Sequence, residues 1–118
     1  MSAAQSFRDL LVWQQGHQWV LAVYRISNDF PKTAIFGLTS QLIRAASSVP
    51  ANIVEGFKRR GKADKMRFYN IAQASLDEAA YHLLLAHDLN CADTAALQTK
   101  ADELARMLTA YIQRMTNS

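Results

Sequence analysis

A proline inside an otherwise apolar, helix-forming stretch is the feature that most constrains how this 118-residue chain can fold. Residues 41–57 read QLIRAASSVPANIVEGF, with apolar residues at helical spacing on both sides of Pro50. A proline within a helix removes one backbone hydrogen bond and crowds the preceding turn, which costs about 3 kcal/mol or more. Because that cost has to be offset by packing, the stretch is predicted to lie between neighbouring helices.

Chain breakers divide the sequence into four predicted helices, with breaks at residues 28–31, 56–61 and 90–93. The predicted helices cover residues 7–27, 34–57, 63–89 and 94–115. Asp9 is expected to cap the first helix, and Asp93 or Thr94 the last. Connections this short join antiparallel neighbours. The sequence therefore predicts an all-α, antiparallel up-down-up-down four-helix bundle in a single domain, residues 1–118.

The second and third predicted helices carry more apolar surface than one four-helix core can cover. On the second helix the core stripe and the residues that widen it are Leu38, Leu42, Ala45, Val49 and Ile53, with Phe36, Ile43, Ala46, Val54 and Phe57. A helix that is apolar on most sides is buried on most sides. We therefore expect copies of the chain to share these surfaces in a homo-oligomer. The alternative is a monomer with an exposed apolar flank.

The Pro50 stretch and several flanking motifs resemble a known bacterial family. The motifs are LVWQ at 11–14, FP at 30–31, FGL at 36–38, the stretch 41–56, FYNIA at 68–72, Ser75 and Leu76 with Glu78, and LAHDL at 85–89. The chain resembles the four helix bundle proteins encoded by intervening sequences in 23S ribosomal RNA genes, known as S23-like proteins. This family is related to the accessory variability determinant protein of diversity-generating retroelements.

The resemblance implies a pentameric ring of bundles around a central pore, with no enzymatic activity. The retroelement relative is a basic pentamer that binds its reverse transcriptase and nucleic acid, so the resemblance also implies such partners. The chain departs from the family pattern at Thr33 and Ala34, where relatives usually carry an acid, and near Gly61 and Lys62, where relatives carry a serine. The first departure removes the acid of a local salt bridge, and the second leaves the third helix without an assigned N-cap.

A strip of polar residues runs beside the apolar stripe of the second predicted helix: Gln41, Arg44, Ser48, Asn52 and Glu55. One interpretation makes the strip a ligand site or a pore wall. The interpretation that we favour is a structural polar network, which satisfies the carbonyl freed by Pro50 and pairs Arg44 with Glu55 or Glu78. In that case, alanine at Asn52 or Glu55 lowers thermal stability.

The basic residues concentrate in one short segment: Lys58, Arg59, Arg60, Lys62, Lys65 and Arg67. The whole chain has 13 Lys and Arg against 10 Asp and Glu, a net charge of +3, so the basicity is local. At the start of the third helix these charges oppose the helix macrodipole, which indicates a role other than helix stability. Repeated around a ring, they would attract phosphate backbones. We expect sequence-independent contact with RNA or DNA, or with a reverse transcriptase; the alternative is a solvated charged face.

No metal, cofactor or catalytic motif is recognisable in the sequence. Di-iron bundles need Glu-x-x-His pairs, whereas this chain has Glu78-x-x-Tyr81. Cys91 is the single cysteine, which favours a reducing, cytoplasmic setting, and we expect no signal peptide, no membrane association and no cofactor. The predicted function is a non-catalytic oligomeric scaffold. The alternatives are an orphan structural oligomer without a nucleic-acid role, and a hydrolase or nuclease that uses His82 or His87.

Overall fold

Four α-helices, each antiparallel to the next, form the computed structural model, which describes residues 3–117 apart from the side chain of Ile35. The helices are α1 (Leu11–Ser27), α2 (Ser40–Lys58), α3 (Lys62–Asp88) and α4 (Ala95–Thr116). Each helix packs against the next, and α1 also packs against α4, so the four close into a bundle. No strand occurs among the described residues. The predicted four-helix bundle is confirmed.

The core of the bundle includes the apolar stripe that the helical spacing predicts on α2, together with a facing stripe on α3. The buried residues of the two stripes are Leu42, Ala45, Val49 and Ile53 on α2, and Ala72, Ala79, Leu83 and Ala86 on α3. Their small alanines let α2 and α3 approach closely, and this pair has the most extensive contact in the molecule. The buried Trp19 of α1 donates its indole N–H to the carbonyl of Leu97 at 3.1 Å, which ties α1 to α4.

The first helix begins later than the sequence predicts. Phe7–Asp9 form one 3₁₀ turn, and α1 begins only at Leu11. The Asp9 carboxylate accepts hydrogen bonds from the backbone N–H groups of Gln5, at 3.0 Å, and Ser6, at 3.1 Å. The prediction that Asp9 caps the first helix is therefore wrong, because its carboxylate closes the turn that precedes α1.

Irregular helical turns also precede α2. Lys32–Ala34 form a 3₁₀ turn and Ile35–Thr39 a π-helical turn, so regular α-helix starts at Ser40. Phe36, which was expected to widen the apolar arc of the second helix, is 96% exposed. A π turn holds more residues than an α turn, so it shifts side chains away from the positions that 100° per residue predicts. That shift explains the misplacement of Phe36.

Helix α2 continues through Pro50 without a break. Pro50 is buried against α1, where Gly16 presents no side chain. A Cβ atom built on Gly16 would lie 4.0 Å from the Cβ of Pro50. The neighbouring helix therefore covers the proline closely, in agreement with the expectation that packing offsets its cost.

The connection between α3 and α4 holds both residues that were proposed as N-caps. Asn90 adopts a left-handed conformation (φ 61°), which commonly ends a helix. Thr94 occupies the N-cap position of α4, but its hydroxyl donates to the carbonyl of Leu83 at 2.6 Å. The Asp93 carboxylate accepts from the N–H of Ala95 at 3.1 Å. Asp93 thus lies one residue before the N-cap and bonds the first N–H of α4, while Thr94 occupies the N-cap without a side-chain capping bond and joins α4 to α3.

Candidate nucleic-acid interface

The basic segment lies at one end of the bundle, where α2 and α4 end and α3 begins. We call this surface the basic end and define it by its six cations: Lys58, Arg59, Arg60, Lys62, Lys65 and Arg67. Antiparallel packing brings these three helix termini side by side. The contacts of the six side chains sort them into three pairs with different surroundings.

The first pair, Lys62 and Lys65, bonds to the C-terminal ends of neighbouring helices. The Lys65 ammonium donates to the carbonyls of Gly56, at 3.1 Å, and Phe57, at 3.0 Å, in the last turn of α2. The Lys62 ammonium donates to the carbonyl of Thr116, the last residue of α4, at 3.1 Å. Partial burial lowers the pKa of Lys65 from its ordinary value, because desolvation disfavours the charged ammonium.

These bonds correct one expectation from the sequence. The positive charges at the start of α3 were expected to oppose a helix macrodipole. In the bundle, Lys62 and Lys65 instead lie against the negative C-terminal ends of α2 and α4, where cations are stabilising. Helix stability therefore explains these two lysines, and their position alone does not indicate a binding role.

The second pair, Arg59 and Arg67, encloses one aromatic ring. Each guanidinium carbon lies 4.4 Å from the centroid of the Phe68 ring, within cation–π distance. Arg67 also pairs with Asp64 at 3.0 Å, and Arg59 pairs with Glu55 at 2.9 Å. These two arginines are therefore occupied by contacts within the chain, and Phe68 is half-buried beneath them.

The third pair, Lys58 and Arg60, is exposed, and no ion pair or hydrogen bond joins either side chain to another described residue. Each borders its own cleft. The cleft beside Lys58 is also lined by Gln5, Ser6, Phe7 and Phe57. The cleft beside Arg60 is also lined by Lys62, Lys65, Met66 and Met115. Of the six cations, these two are the ones that no contact with another described residue already engages.

Part of the polar strip of α2 bonds to α3. Arg44 forms an ion pair with Glu78, one of the two partners considered from the sequence. The hydroxyls of Ser48 and Ser75 lie 2.9 Å apart. The Asn52 amide donates to the carbonyl of Ser48 at 2.8 Å and to its hydroxyl at 2.9 Å. The strip therefore links α2 to α3 at two levels along the helices.

The other members of the strip lie outside this link. Gln41 is exposed, and Glu55 pairs with an arginine of the basic end. The carbonyl that Pro50 leaves without its helical partner is that of Ala46, whereas the strip's amide donor bonds to the carbonyl of Ser48. The geometry therefore joins Arg44 to Glu78 and Asn52 to Ser48 as two separate groups, and a contribution of the strip to stability stays a prediction.

The histidines of α3 make contacts within the fold. Nε2 of His82 lies 3.3 Å from Oε2 of Glu78, and its Nδ1 is buried with no hydrogen-bond partner among the described residues. Nδ1 of His87 accepts the backbone N–H of Thr94 at 3.2 Å, at the connection to α4. Within residues 3–117, no group of three or more His, Cys, Asp and Glu side chains could hold a metal ion.

Comparison with known families identifies the chain. The family described as 23S rRNA-intervening sequence protein matches residues 8–110, which reach into all four helices. The chain belongs to this family. The family resemblance seen in the Pro50 stretch and its flanking motifs is thereby confirmed.

A solved structure shares the fold. It is a protein of unknown function from the S23 ribosomal protein family of Bacteroides thetaiotaomicron. The two structures match with a TM-score of 0.80 and 20% sequence identity, and the match covers 86% of this chain and 98% of the other. No curated protein matches the chain significantly. In the part of the chain that the structure describes, no helix is long and apolar enough to cross a bilayer.

Sequence reasoning missed two features of the basic end. An up-down bundle places the ends of α2 and α4 beside the start of α3, so the capping bonds of Lys62 and Lys65 were within reach of the predicted topology. The cleft that Met66 and Met115 line could not be predicted, because helical spacing alone does not distinguish a methionine in a cleft wall from one in the core.

Proposed function

We propose that the chain is a non-catalytic, homo-oligomeric bundle protein that binds nucleic acid through its basic end. The observation that best supports this proposal is that Lys58 and Arg60 are exposed and pair with no described side chain. They lie beside four other cations that contacts within the fold already hold in place. Phosphate backbones bind such surfaces through charge and counterion release, without reading base edges.

The homo-oligomer is supported by apolar side chains that the bundle leaves exposed. Helix α3 exposes Ile71, Tyr81 and Leu84, and Leu89 directly after it is 60% exposed. Large exposed apolar surface on a protein of this size indicates contact with another surface. We propose that further copies of the chain cover these side chains in the pentameric ring that the family resemblance implies. A ring repeats the basic end on one rim, so several weak phosphate contacts act together.

A titration of fluorescently labelled RNA and DNA at low and moderate salt tests nucleic-acid binding. We expect affinity to fall steeply as salt rises, because each phosphate contact adds about −0.9 to the slope of log K against log salt. The double variant Lys58→Gln/Arg60→Gln should bind more weakly with a shallower slope. The matched control, Arg25→Gln/Lys32→Gln, removes the same charge from the opposite end of the bundle and should bind like the parent.

Two results would contradict the binding role. One is the absence of binding at every salt concentration, and the other is equal affinity for the basic-end variant and its control. If binding is absent while the oligomer persists, the chain is the orphan structural oligomer considered from the sequence. Light scattering gives the second half of the test: a folded species at the 13.2 kDa mass of one chain would refute the oligomer.

The geometry of the histidines argues against the hydrolase or nuclease alternative. A general base needs an accepting ring nitrogen within reach of its substrate, and a neutral imidazole has only one. Nε2 of His82 lies against Glu78 and its Nδ1 is buried, and the accepting Nδ1 of His87 is occupied by a backbone N–H. Incubating RNA with the parent, His82→Ala and His87→Ala tests this: histidine-dependent cleavage would overturn the non-catalytic role. A reverse transcriptase is the alternative partner of the basic end. If the purified chain binds nucleic acid without any other protein, direct contact between the basic end and nucleic acid is favoured.

A further inference from the structure

The cleft beside Arg60 differs from the rest of the basic end in shape and in lining. It has a volume of about 160 Å³ and lies between the start of α3 and the last turn of α4. Among the described residues, three cations and two methionines line it and no carboxylate does: Arg60, Lys62, Lys65, Met66 and Met115. The nearest acid in sequence, Asp64, is engaged by the arginines that enclose Phe68.

Two of the cleft's cations are fixed in position before any ligand arrives. Lys62 is anchored to the carbonyl of Thr116, and Lys65 is anchored to two carbonyls at the end of α2. A side chain that is already ordered loses less entropy when it binds a ligand. An anion in the cleft would also oppose the desolvation that lowers the pKa of Lys65. Arg60 is exposed at the rim and can close on the ligand with the planar fork that suits phosphate oxygens.

The size of the cleft selects the kind of phosphate. Sites for drug-sized ligands measure roughly 300–1,000 Å³, so this cleft admits a phosphate group but not a whole nucleotide. A phosphate inside a strand carries one charge and continues on both sides, whereas a terminal phosphate carries about −1.5 to −2 at neutral pH and continues on one side only. Three cations that line one small recess match the second case.

We propose that the cleft formed by Arg60, Lys62, Lys65, Met66 and Met115 binds a phosphate dianion, supplied by the phosphorylated end of a nucleic-acid strand or by free inorganic phosphate. The strand-end source rests on the proposed function, since it requires nucleic acid at the basic end. Binding of inorganic phosphate does not depend on it. The basic end then has two parts: Lys58 contacts backbone phosphates, and the Arg60 cleft holds the strand end.

Short oligonucleotides of one sequence with a 5′-phosphate, a 3′-phosphate or two hydroxyl ends test the strand-end source by anisotropy titration. We expect a phosphorylated end to bind about tenfold tighter than the hydroxyl form. In Arg60→Gln this preference should vanish. In the matched control Lys58→Gln, which removes a charge from the same loop, all affinities should fall together and the preference should persist. Both side chains are exposed and no described residue pairs with either, so neither substitution should unfold the chain, and equal melting temperatures will verify this.

The results separate the cleft from the proposed function. If all oligonucleotides bind equally well, the strand-end inference is wrong and backbone binding stands. If none binds, the proposed function fails. The cleft is then tested separately, by comparing the melting temperature in sodium phosphate with that in sodium chloride at equal ionic strength. A rise in melting temperature with phosphate that Arg60→Gln abolishes supports the cleft. No such rise, or an equal rise in Arg60→Gln, overturns it.

Discussion

Replacing Gly56 with alanine sets two opposing effects against each other at the junction of α2 and α3. A Cβ atom on Gly56 would lie 2.3 Å from Cε1, 2.7 Å from Cδ1 and 2.9 Å from Cζ of Tyr69. The Tyr69 ring is fully buried, packs edge-on against Tyr111 with ring centroids 5.3 Å apart, and shares a hydroxyl–hydroxyl contact of 3.1 Å with it. The ring therefore cannot move without disturbing the tyrosine pair.

The magnitude follows from these contacts. Overpacking a core position costs about 1–3 kcal/mol. Displacing the ring also breaks the Tyr69–Tyr111 hydrogen bond, at a net cost of about 1 kcal/mol. Replacing glycine with alanine within a helix stabilises the helix by about 1 kcal/mol. We therefore expect Gly56→Ala to destabilise the chain by about 1–3 kcal/mol, although helix propensity alone predicts a gain.

Urea and thermal denaturation at one fixed protein concentration would measure the change, since assembly makes melting temperatures depend on concentration. For a chain of this length we expect the melting temperature to fall by about 4–12 °C. Gly16→Ala is the matched control: the glycine also lies inside a helix, but its new Cβ would make only an ordinary contact, so stability should hold or rise. In Gly56→Ala/Tyr69→Leu, removal of the ring should make the cost less than additive. A Gly56→Ala variant as stable as Gly16→Ala would refute the steric reasoning.

Three further predictions concern single polar groups. Asn52→Ala removes two hydrogen bonds and should lower the free energy of unfolding by about 1 kcal/mol, whereas Glu55→Ala removes only an exposed ion pair and should cost at most about 0.5 kcal/mol. Equal urea midpoints for the two variants would contradict this ranking. Burial and the contact with Tyr111 raise the pKa of Tyr69 above the ordinary 10.0. The tyrosine of the unfolded chain therefore ionises first as pH rises. The contribution of Tyr69 to the free energy of unfolding is complete below pH 10 and is lost above it. Urea denaturation between pH 9 and 11, about one unit either side of the free tyrosine pKa, should show that Tyr69→Phe loses less stability than the parent over this interval. Thr94→Val removes the buried hydroxyl that donates to Leu83 and should cost about 1–3 kcal/mol in urea denaturation, and a variant with the parent's midpoint would show that this bond contributes nothing.

The positions of the bundle elements could be predicted because they depend on local pattern. Apolar spacing of three and four residues fixes which side of a helix is buried, and the stripe through Leu42, Val49 and Ile53 is buried as expected. The limits of this reasoning appear where the backbone leaves regular geometry. At Ile35–Thr39 the chain makes a π turn, and the α-helical angle assigned Phe36 to the wrong surface. No spacing rule foresees such a turn.

The candidate site was harder to predict, because a charged residue's role depends on what lies opposite it. The sequence shows that Lys58, Arg60 and four other cations are close in the chain, but it does not show which carbonyls, rings or carboxylates they meet. Lys65 bonds to the end of its preceding helix, and Lys62 bonds to Thr116, which lies 54 positions away in the sequence.

The sequence alone determined the all-α class, the number of helices, the family and the clustering of positive charge. The tertiary structure alone decided that the charge cluster divides into two capping lysines, two arginines around Phe68, and two exposed cations. The physical reason is the sequence separation over which the two kinds of interaction act. Helix periodicity arises from interactions within a few residues, whereas the partners of a side chain at a helix end come from termini that only antiparallel packing brings together.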